Sequence, residues 1–480
     1  MIYMDIILVL ITIILILNII FAFSLIFLER KDPTTTWAWL LIVMILPGIG
    51  FWIYILLGQN LSRQKIFKKK IRIDENKRKN LLDTYESTYH VHDGGEKFID
   101  LRKLNFNHSG ANYTTNNKVR VFINGEDKFK QLIQDIRKAK KYIHIEYYIF
   151  KADSLGKTIL EELAKKAKSG VEVRLLVDSM GSRMLTKKVL KNYLNAKGKY
   201  ALFFPGILPH INTRINYRNH RKIVVIDGRY GYVGGYNVGE EYINKDKNIG
   251  FWRDTHVRIQ GEAVSDLNER FLLDWCHASK EEISNYNKYE KEFPKDFGDV
   301  GIQIVTSGPD HKEEYIRNAY LKLINNAKKS LYLETPYLVL DTPILESLKI
   351  SALSGVDVRI IIPGKPDHFF MQWAASSYVG ELLEAGIKVY SYQNGFIHAK
   401  TIIADGTVMS IGTANFDIRS FKLNFEVNAF IFDNRIAIDG ENQFFRDIDE
   451  SEEITKEVYN NRSISLKIKE SLIRLVSPIL

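Results

Sequence analysis

Cysteine is nearly missing from this chain: Cys276 is the only one in 480 residues. An internal disulfide is therefore excluded, and so is a cysteine-built metal cluster, while a reducing compartment suits the composition. HExxH is missing too, and no acidic pair has metal-site spacing, so the sequence predicts no metal and no cofactor. The first apolar run has no basic stretch ahead of it, which argues against a cleaved signal peptide. Apolar runs are scarce over residues 58–117, and that stretch predicts a polar juxtamembrane linker. Acidic residues are outnumbered, 57 Asp and Glu against 67 Lys and Arg, for a formal net charge of +10. That balance favours a polyanionic partner, either nucleic acid or an anionic membrane surface.

What the chain does have is two almost purely apolar segments, residues 5–28 and 37–57. Each is long enough to cross a bilayer, which predicts an amino-terminal transmembrane helical hairpin. Pro47 and Gly48 interrupt the second segment and predict a kink or a re-entrant turn there. Arg63, Lys65, Lys68, Lys69, Lys70, Arg72, Lys77, Arg78 and Lys79 follow it, against only Arg30 and Lys31 in the link between the segments. The positive-inside rule then predicts a multi-pass membrane protein with its bulk in the cytoplasm. The same basic run suits contact with anionic headgroups.

Regular patterning starts near Lys118. KVRVFI (118–123) alternates like a strand, 126–141 is patterned as a helix, KKYIHIEYYIF as a strand, 155–169 as a helix and SGVEVRLLVD as a strand. This is a β-α-β-α-β order, typical of a layered α/β domain. The order then repeats: KKSLYLETPYLVL from Lys328 parallels KKYIHIEYYIF from Lys140, and SGVDVRIII from Ser354 parallels SGVEVRLLV from Ser169. We expect two similar α/β domains about a pseudo-twofold axis, at 118–285 and 300–480, behind membrane helices at 1–60 and a basic linker at 61–117.

Each half also carries one copy of a reactive set. HRKIVVID, His220 to Asp227, and HAKTIIAD, His398 to Asp405, both read His-x-Lys-x4-Asp. Gly234, Gly235 and Asn237 follow the first; Gly412, Thr413 and Asn415 follow the second at the same offset. Histidine and lysine two apart on a strand share a face. The glycines predict a tight turn that brings backbone and asparagine close to an anion. Two histidines can divide covalent catalysis, one attacking and one moving the proton, while a lysine and an asparagine from each half hold the anion. A lone copy of such a motif means little; two copies in two repeated domains point to one site built from both halves. His144, His256 and His277 sit in patterned segments and are read as structural, and His368, ahead of the second motif, as a candidate gate.

The duplicated motif resembles the HKD signature of the phospholipase D superfamily, with HxKxxxxDxxxxxxGGxN complete from His220 to Asn237 and GTAN followed by FDIRSF in the second copy. The resemblance covers about residues 118–475. The paired apolar segments, WRDTHVRIQG (Trp252–Gly261) and SYVGELLEAGIKVY are similar to the bacterial cardiolipin synthases within that superfamily. The resemblance implies that His220 attacks phosphorus to form a phosphohistidine, and that His398 protonates the leaving alcohol and deprotonates the incoming one. The symmetry of the two motifs leaves the reverse assignment open. It implies that Lys222, Lys400, Asn237 and Asn415 hold the phosphate oxygens, with a hydroxyl from Thr413. It makes Glu426 and Asp254 the histidine-orienting carboxylates, Asp254 standing where a glutamate is usual. Asp227 and Asp405 belong to the motif, and a role in local structure suits them better than contact with phosphate. The implied substrate is phosphatidylglycerol, with anionic membrane lipids as partners and no indication of oligomeric state. A lipid-hydrolysing phospholipase D, a nuclease of the superfamily and a non-catalytic lipid-binding scaffold are the alternatives; membrane segments disfavour nucleic acid, and two intact motifs disfavour the scaffold.

Overall fold

The computed structural model describes residues 2–27, 33–58, 98–205, 216–246, 249–283, 287–289, 291–311 and 313–477. In it the repeat in sequence becomes a repeat in space. The first sheet runs, in spatial order, Asn117–Phe122, His256–Gly261, Tyr230–Gly234, Ile223–Ile226, Tyr142–Tyr147, Glu172–Asp178 and Lys199–Phe203. The second runs Gly301–Ser307, Asn424–Phe432, Val408–Gly412, Thr401–Ala404, Ser330–Glu334, Asp357–Pro363 and Lys388–Tyr392, and continues into Ser451–Glu453. The two orders match strand for strand. So do the pairings, antiparallel up to the strand after each His-x-Lys and parallel beyond Tyr142–Tyr147 and Ser330–Glu334.

Both faces of each sheet are covered, which is why the motif strands are apolar throughout and do not alternate with polar residues. Ile223 and Val225 face inward with Val233, Val257 and Ile259. They meet Ile403, Met409, Ile411, Val427 and Ala429 of the other sheet in one shared core. Val224 and Ile226 face outward, under helices that supply Phe129, Leu132, Ile159 and Leu163. Ile402 and Ala404 do the same in the second half, under Ile316, Leu323, Leu348 and Leu382. The result is a four-layer αββα body with its two halves joined sheet to sheet.

Two connections cross between the halves. Arg218–Asn219, just before His220, pairs in parallel with Asn424 and Phe425. Phe396–Ile397, just before His398, pairs in parallel with Trp252 and Arg253. The His220 amide donates to Phe425 O at 3.0 Å and the His398 amide to Arg253 O at 2.6 Å.

The stretch expected to be linker is in part a structural element of the second half. Helix Ile99–Ser109 packs Leu101 into the second-half core beside Phe98 and Ala111, and Tyr113–Thr114 adds an edge strand to Gly301–Ser307.

The amino-terminal segments also differ from a simple hairpin. Among the described residues one helix, Tyr3–Phe27, is long and apolar enough to cross a membrane. The second segment forms two helices, Pro33–Ile45 and Ile49–Leu57, broken at Pro47 and Gly48. The Trp39 and Tyr54 rings lie 4.9 Å apart. A continuous helix would separate those residues by roughly 22 Å, so the segment doubles back on itself. Both arms rest on the first helix: Asn18 donates to Val43 O at 2.9 Å, and Phe21 meets the Phe51 and Tyr54 rings at 4.9 and 5.1 Å. A proline and a glycine at positive φ (81°) supply the turn. Arg30 and Lys31 and the basic run from Arg63 to Lys79 lie outside the described residues.

Candidate active site

The crossing strands bring each histidine to a carboxylate of the opposite half. His220 Nδ1 lies 3.0 Å from both Glu426 oxygens. His398 Nδ1 lies 2.6 Å from Asp254 Oδ2. A carboxylate accepts only, so each Nδ1 carries the hydrogen and each Nε2 keeps its lone pair. Burial lowers His220 from its ordinary value against the pull of Glu426. Burial and then Lys400 lower His398 to about 4. Burial pushes Glu426 up, but His220 and Lys222 bring it below the usual range; Lys400 and His398 do the same for Asp254. Near pH 7 the site therefore holds two neutral imidazoles on two ionised carboxylates.

Lys222 and Lys400 lie beneath the histidines, each buried and each donating to the carbonyl of its own histidine, Lys222 at 2.7 Å. Burial lowers Lys222 to about 7 and Lys400 to about 8, and the Lys400 ammonium lowers Lys222 further. Two cations so placed favour an anion between them. Tyr148 stands edge-on to His220 at 5.0 Å and Trp252 beside His398 at 5.1 Å, giving the site apolar walls.

The asparagines and the small residues also have defined places. Asn237 accepts from the Ile149 amide at 3.1 Å and donates to Tyr242 Oη at 3.1 Å. Asn415 donates to Asp417 at 3.1 Å, while its buried Oδ1 has no partner in the protein. Thr413, expected to offer its hydroxyl to phosphate, donates it to Glu426 Oε2 at 2.5 Å and accepts from the Val427 amide at 2.9 Å. Gly235 holds the matching position, and a Cβ there would stand 2.0 Å from Asp254 Oδ1.

Asp227 and Asp405 are placed apart from this cluster, at the other end of their strands. Asp227 accepts from the amides of Lys140, Lys141 and Tyr142; Asp405 accepts from those of Lys328, Lys329 and Ser330. Each also opens an Asp-Gly turn with both residues at positive φ. That left-handed pair joins neighbouring antiparallel strands with the twist they need. Grouped with the reactive residues in the motif, both aspartates are occupied in fixing strand geometry.

Two arginines were not singled out in the sequence. Arg221, the variable residue inside the first motif, reaches Asp274 at 2.5 Å, Glu426 O at 3.1 Å and Ser307 O at 3.0 Å. Arg253, next to Asp254, reaches both Asp447 oxygens (2.9 and 3.1 Å) and Glu334 at 3.4 Å. Each is buried and ties one half to the other beside a histidine-orienting carboxylate. Their sequence signal is weak, because each sits among other polar residues, Arg221 between His220 and Lys222 and Arg253 ahead of Asp254 and Thr255. His144 and His256 are buried in the first sheet, and His368 is exposed, stacked on Phe370 at 5.5 Å. Among the described residues no group of three or more His, Cys, Asp or Glu could hold a metal ion.

Comparison with known proteins shows the family of the chain. The family described as "Cardiolipin synthase, PLD-like domain" matches residues 132–275 and 320–448, and "Phospholipase_D-nuclease N-terminal" matches 16–59. A cardiolipin synthase of Clostridium perfringens is 50% identical over 459 residues, covering 94% of this chain and 96% of that one. The major cardiolipin synthase of Bacillus subtilis is 48% identical over 480 residues, covering 98% and 99%. The crystal structure of phosphatidylserine synthase from Haemophilus influenzae shares the fold, with a TM-score of 0.58 at 15% identity over 79% of this chain and 100% of that one. The chain belongs to the cardiolipin synthase family of the phospholipase D superfamily.

Proposed function

We propose that this phosphatidyltransferase joins two phosphatidylglycerol molecules into cardiolipin and glycerol through a phosphohistidine, with His220 as nucleophile. The carrying observation is the pair of imidazoles, each held with Nε2 free by a carboxylate of the other half, beside two buried lysines. His220 Nε2 attacks phosphorus, and the bond from phosphorus to the headgroup glycerol oxygen breaks. His398, which takes a proton onto Nε2 once the phosphodiester anion is bound, gives that oxygen its proton. A headgroup hydroxyl of the second phosphatidylglycerol then attacks, returns a proton to His398, and the phosphorus–nitrogen bond breaks. Lys222 and Lys400 steady the non-bridging oxygens as charge builds, with Asn237 and Asn415 assigned the same task from their place in the two motifs. One phosphodiester is lost and one formed, so no nucleotide is consumed. The apolar walls at Tyr148 and Trp252 favour a lipid alcohol over water as acceptor.

Membrane association is supported by the long amino-terminal apolar helix. We infer that the catalytic body faces the cytoplasm, because the basic run after the second segment far exceeds the charge elsewhere around it. Anionic lipids are then both substrate and surface.

The test is a product assay on phosphatidylglycerol vesicles with the purified protein and its His220→Ala and His398→Ala variants. Wild type should give cardiolipin plus glycerol. Each variant should lose at least about 10⁴-fold in turnover. His398→Ala should still accumulate a lipid adduct on His220; an adduct mapped to His398 in wild type would reverse the roles. Phosphatidic acid without cardiolipin would make the protein a hydrolase.

A further inference from the structure

The carboxy-terminal helix Ile464–Val476 packs Ile473 on the second-half core and carries a second apolar stripe on its outer side. Its inner side carries Glu470, buried and paired with Arg462 at 3.2 Å, and is followed by Ser477, which meets Tyr378 at 2.9 Å. Its outer side carries Ile464, Ile468, Leu472 and Leu475, all 55–76% exposed. Spacings of four, four and three place these four on one stripe. Lys467 and Arg474 flank the stripe on one side and Lys469 on the other. A surface helix with isoleucine and leucine in water and glutamate inside is costly unless something apolar covers the stripe.

The neighbouring helix Phe369–Glu384 extends the same face. Trp373 lies under Lys469 at 5.0 Å, and Arg474 donates to Ser377 O at 3.1 Å, so the two helices run side by side in one direction. Phe369 and Phe370, both exposed, therefore fall at the Ile464 end. The next residue, Met371, lines a narrow crevice with Tyr337 and Phe396. Phe396 lies 5.9 Å from the His398 ring, so the crevice joins this face to the wall of the active site.

We propose that this face is the bilayer-docking surface of the catalytic body. Ile464, Ile468, Leu472 and Leu475, with Phe369 and Phe370, enter the boundary between headgroups and acyl chains of an anionic leaflet. Lys467 and Lys469 meet its phosphates, while Arg474 is held by Glu381 at the edge of the stripe. An apolar stripe with cations on both flanks is the form of an interfacial helix. The charge decides against a second copy of the chain, since a twofold contact would set those cations against themselves. The amino-terminal apolar helix holds the body beside a bilayer in any case, and docking would aim the crevice at lipid. The inference rests on that anchoring and not on which acceptor the site uses.

The test uses the full-length protein with Cys276→Ser, a single cysteine at Ile468 or Leu472 carrying a polarity-sensitive fluorophore, and phosphatidylglycerol vesicles containing acyl-brominated phosphatidylcholine. Labels at 468 and 472 should be quenched at least about twofold, as expected at shallow depth, and a Lys191→Cys control should not be. Labels at 468 and 472 as unquenched as the control would overturn the proposal. So would shielding of the labels in detergent that tracks a doubling of mass, which would give the face to a second copy. A second measurement separates docking from folding: Ile468→Glu with Leu472→Glu should lower kcat/KM on vesicles about tenfold and leave turnover of a monomeric short-chain phosphatidylglycerol unchanged. Equal loss on both substrates would contradict a docking role.

Discussion

Gly235 and Thr413 stand at matching positions, and the carboxylate opposite explains each. Asp254 lies where a side chain on residue 235 would project, whereas Glu426 takes a hydrogen bond from the Thr413 hydroxyl. Gly235→Ala should therefore push Asp254 off His398 and cost about 10²-fold in kcat, the price of misplacing a catalytic group by an ångström. Thr413→Val, which removes one hydrogen bond from Glu426, should cost about tenfold. Steady-state kinetics beside melting curves check both; a fully active Gly235→Ala would contradict the positioning argued for Asp254. The lysines predict a pH profile. Lys222 and Lys400 are charged below about 7 and about 8 in the free protein. Raising the pH through that window removes the charge that receives phosphate, so kcat/KM should fall. A bound phosphodiester holds the protons on, so kcat should fall less and later. A kcat/KM that stays flat to pH 9.5 would rule out this part for the lysines.

At the scale of elements, the doubled-back second segment makes a topological prediction. If only the first helix crosses, the end of the link and the catalytic body share one side of the membrane. Thr35→Cys and Lys191→Cys, each in a Cys276→Ser background, should then react with an impermeant maleimide from the same face of sealed vesicles. Labelling from opposite faces would mean that the second segment crosses. What was legible in the sequence at this scale follows from how local each signal is. Strands such as Glu172–Asp178 and helices such as Ser154–Lys168 lie within a few residues of their expected bounds, because their apolar periodicity is a local property. Pro47 and Gly48 announced a break but not the direction of the chain after it, which Phe21 and Trp39 decide by packing on Tyr54. Helix Ile99–Ser109 read as linker because it brings little apolar surface, chiefly Leu101, to a core supplied by residues some two hundred positions away. The motif residues were visible because they recur. Which carboxylate serves which histidine was not, since His220–Glu426 and His398–Asp254 are cross-half contacts.

Across the whole molecule, the two halves repeat a buried charge group as well as a reactive one. Glu146 and Glu334 hold the same place in matching strands, and each lies near a buried arginine–aspartate pair: Arg221–Asp274 and Arg253–Asp447. Burial, with the neighbouring aspartate adding to it, outweighs the arginine and pushes both glutamates up to about 8. At neutral pH each is therefore a protonated donor inside a charged group, not a third charge. The linkage has a definite sign. A pKa raised on folding means that the folded protein binds more protons than the unfolded chain between the unfolded glutamate value, about 4.3, and about 8. The stabilisation is complete below that window and is lost as pH rises through it, at up to about 1.4 kcal/mol per pH unit per group. Other groups titrate in the same range, Lys222 and Lys400 in the opposite sense, so the test is a difference. Glu334→Gln copies the protonated form and cannot ionise. It should match wild type in melting temperature near pH 4, exceed it increasingly from there to about pH 8, and keep a constant lead above that. A difference independent of pH would show that Glu334 is ionised throughout, and that Arg253 faces two carboxylates instead of one.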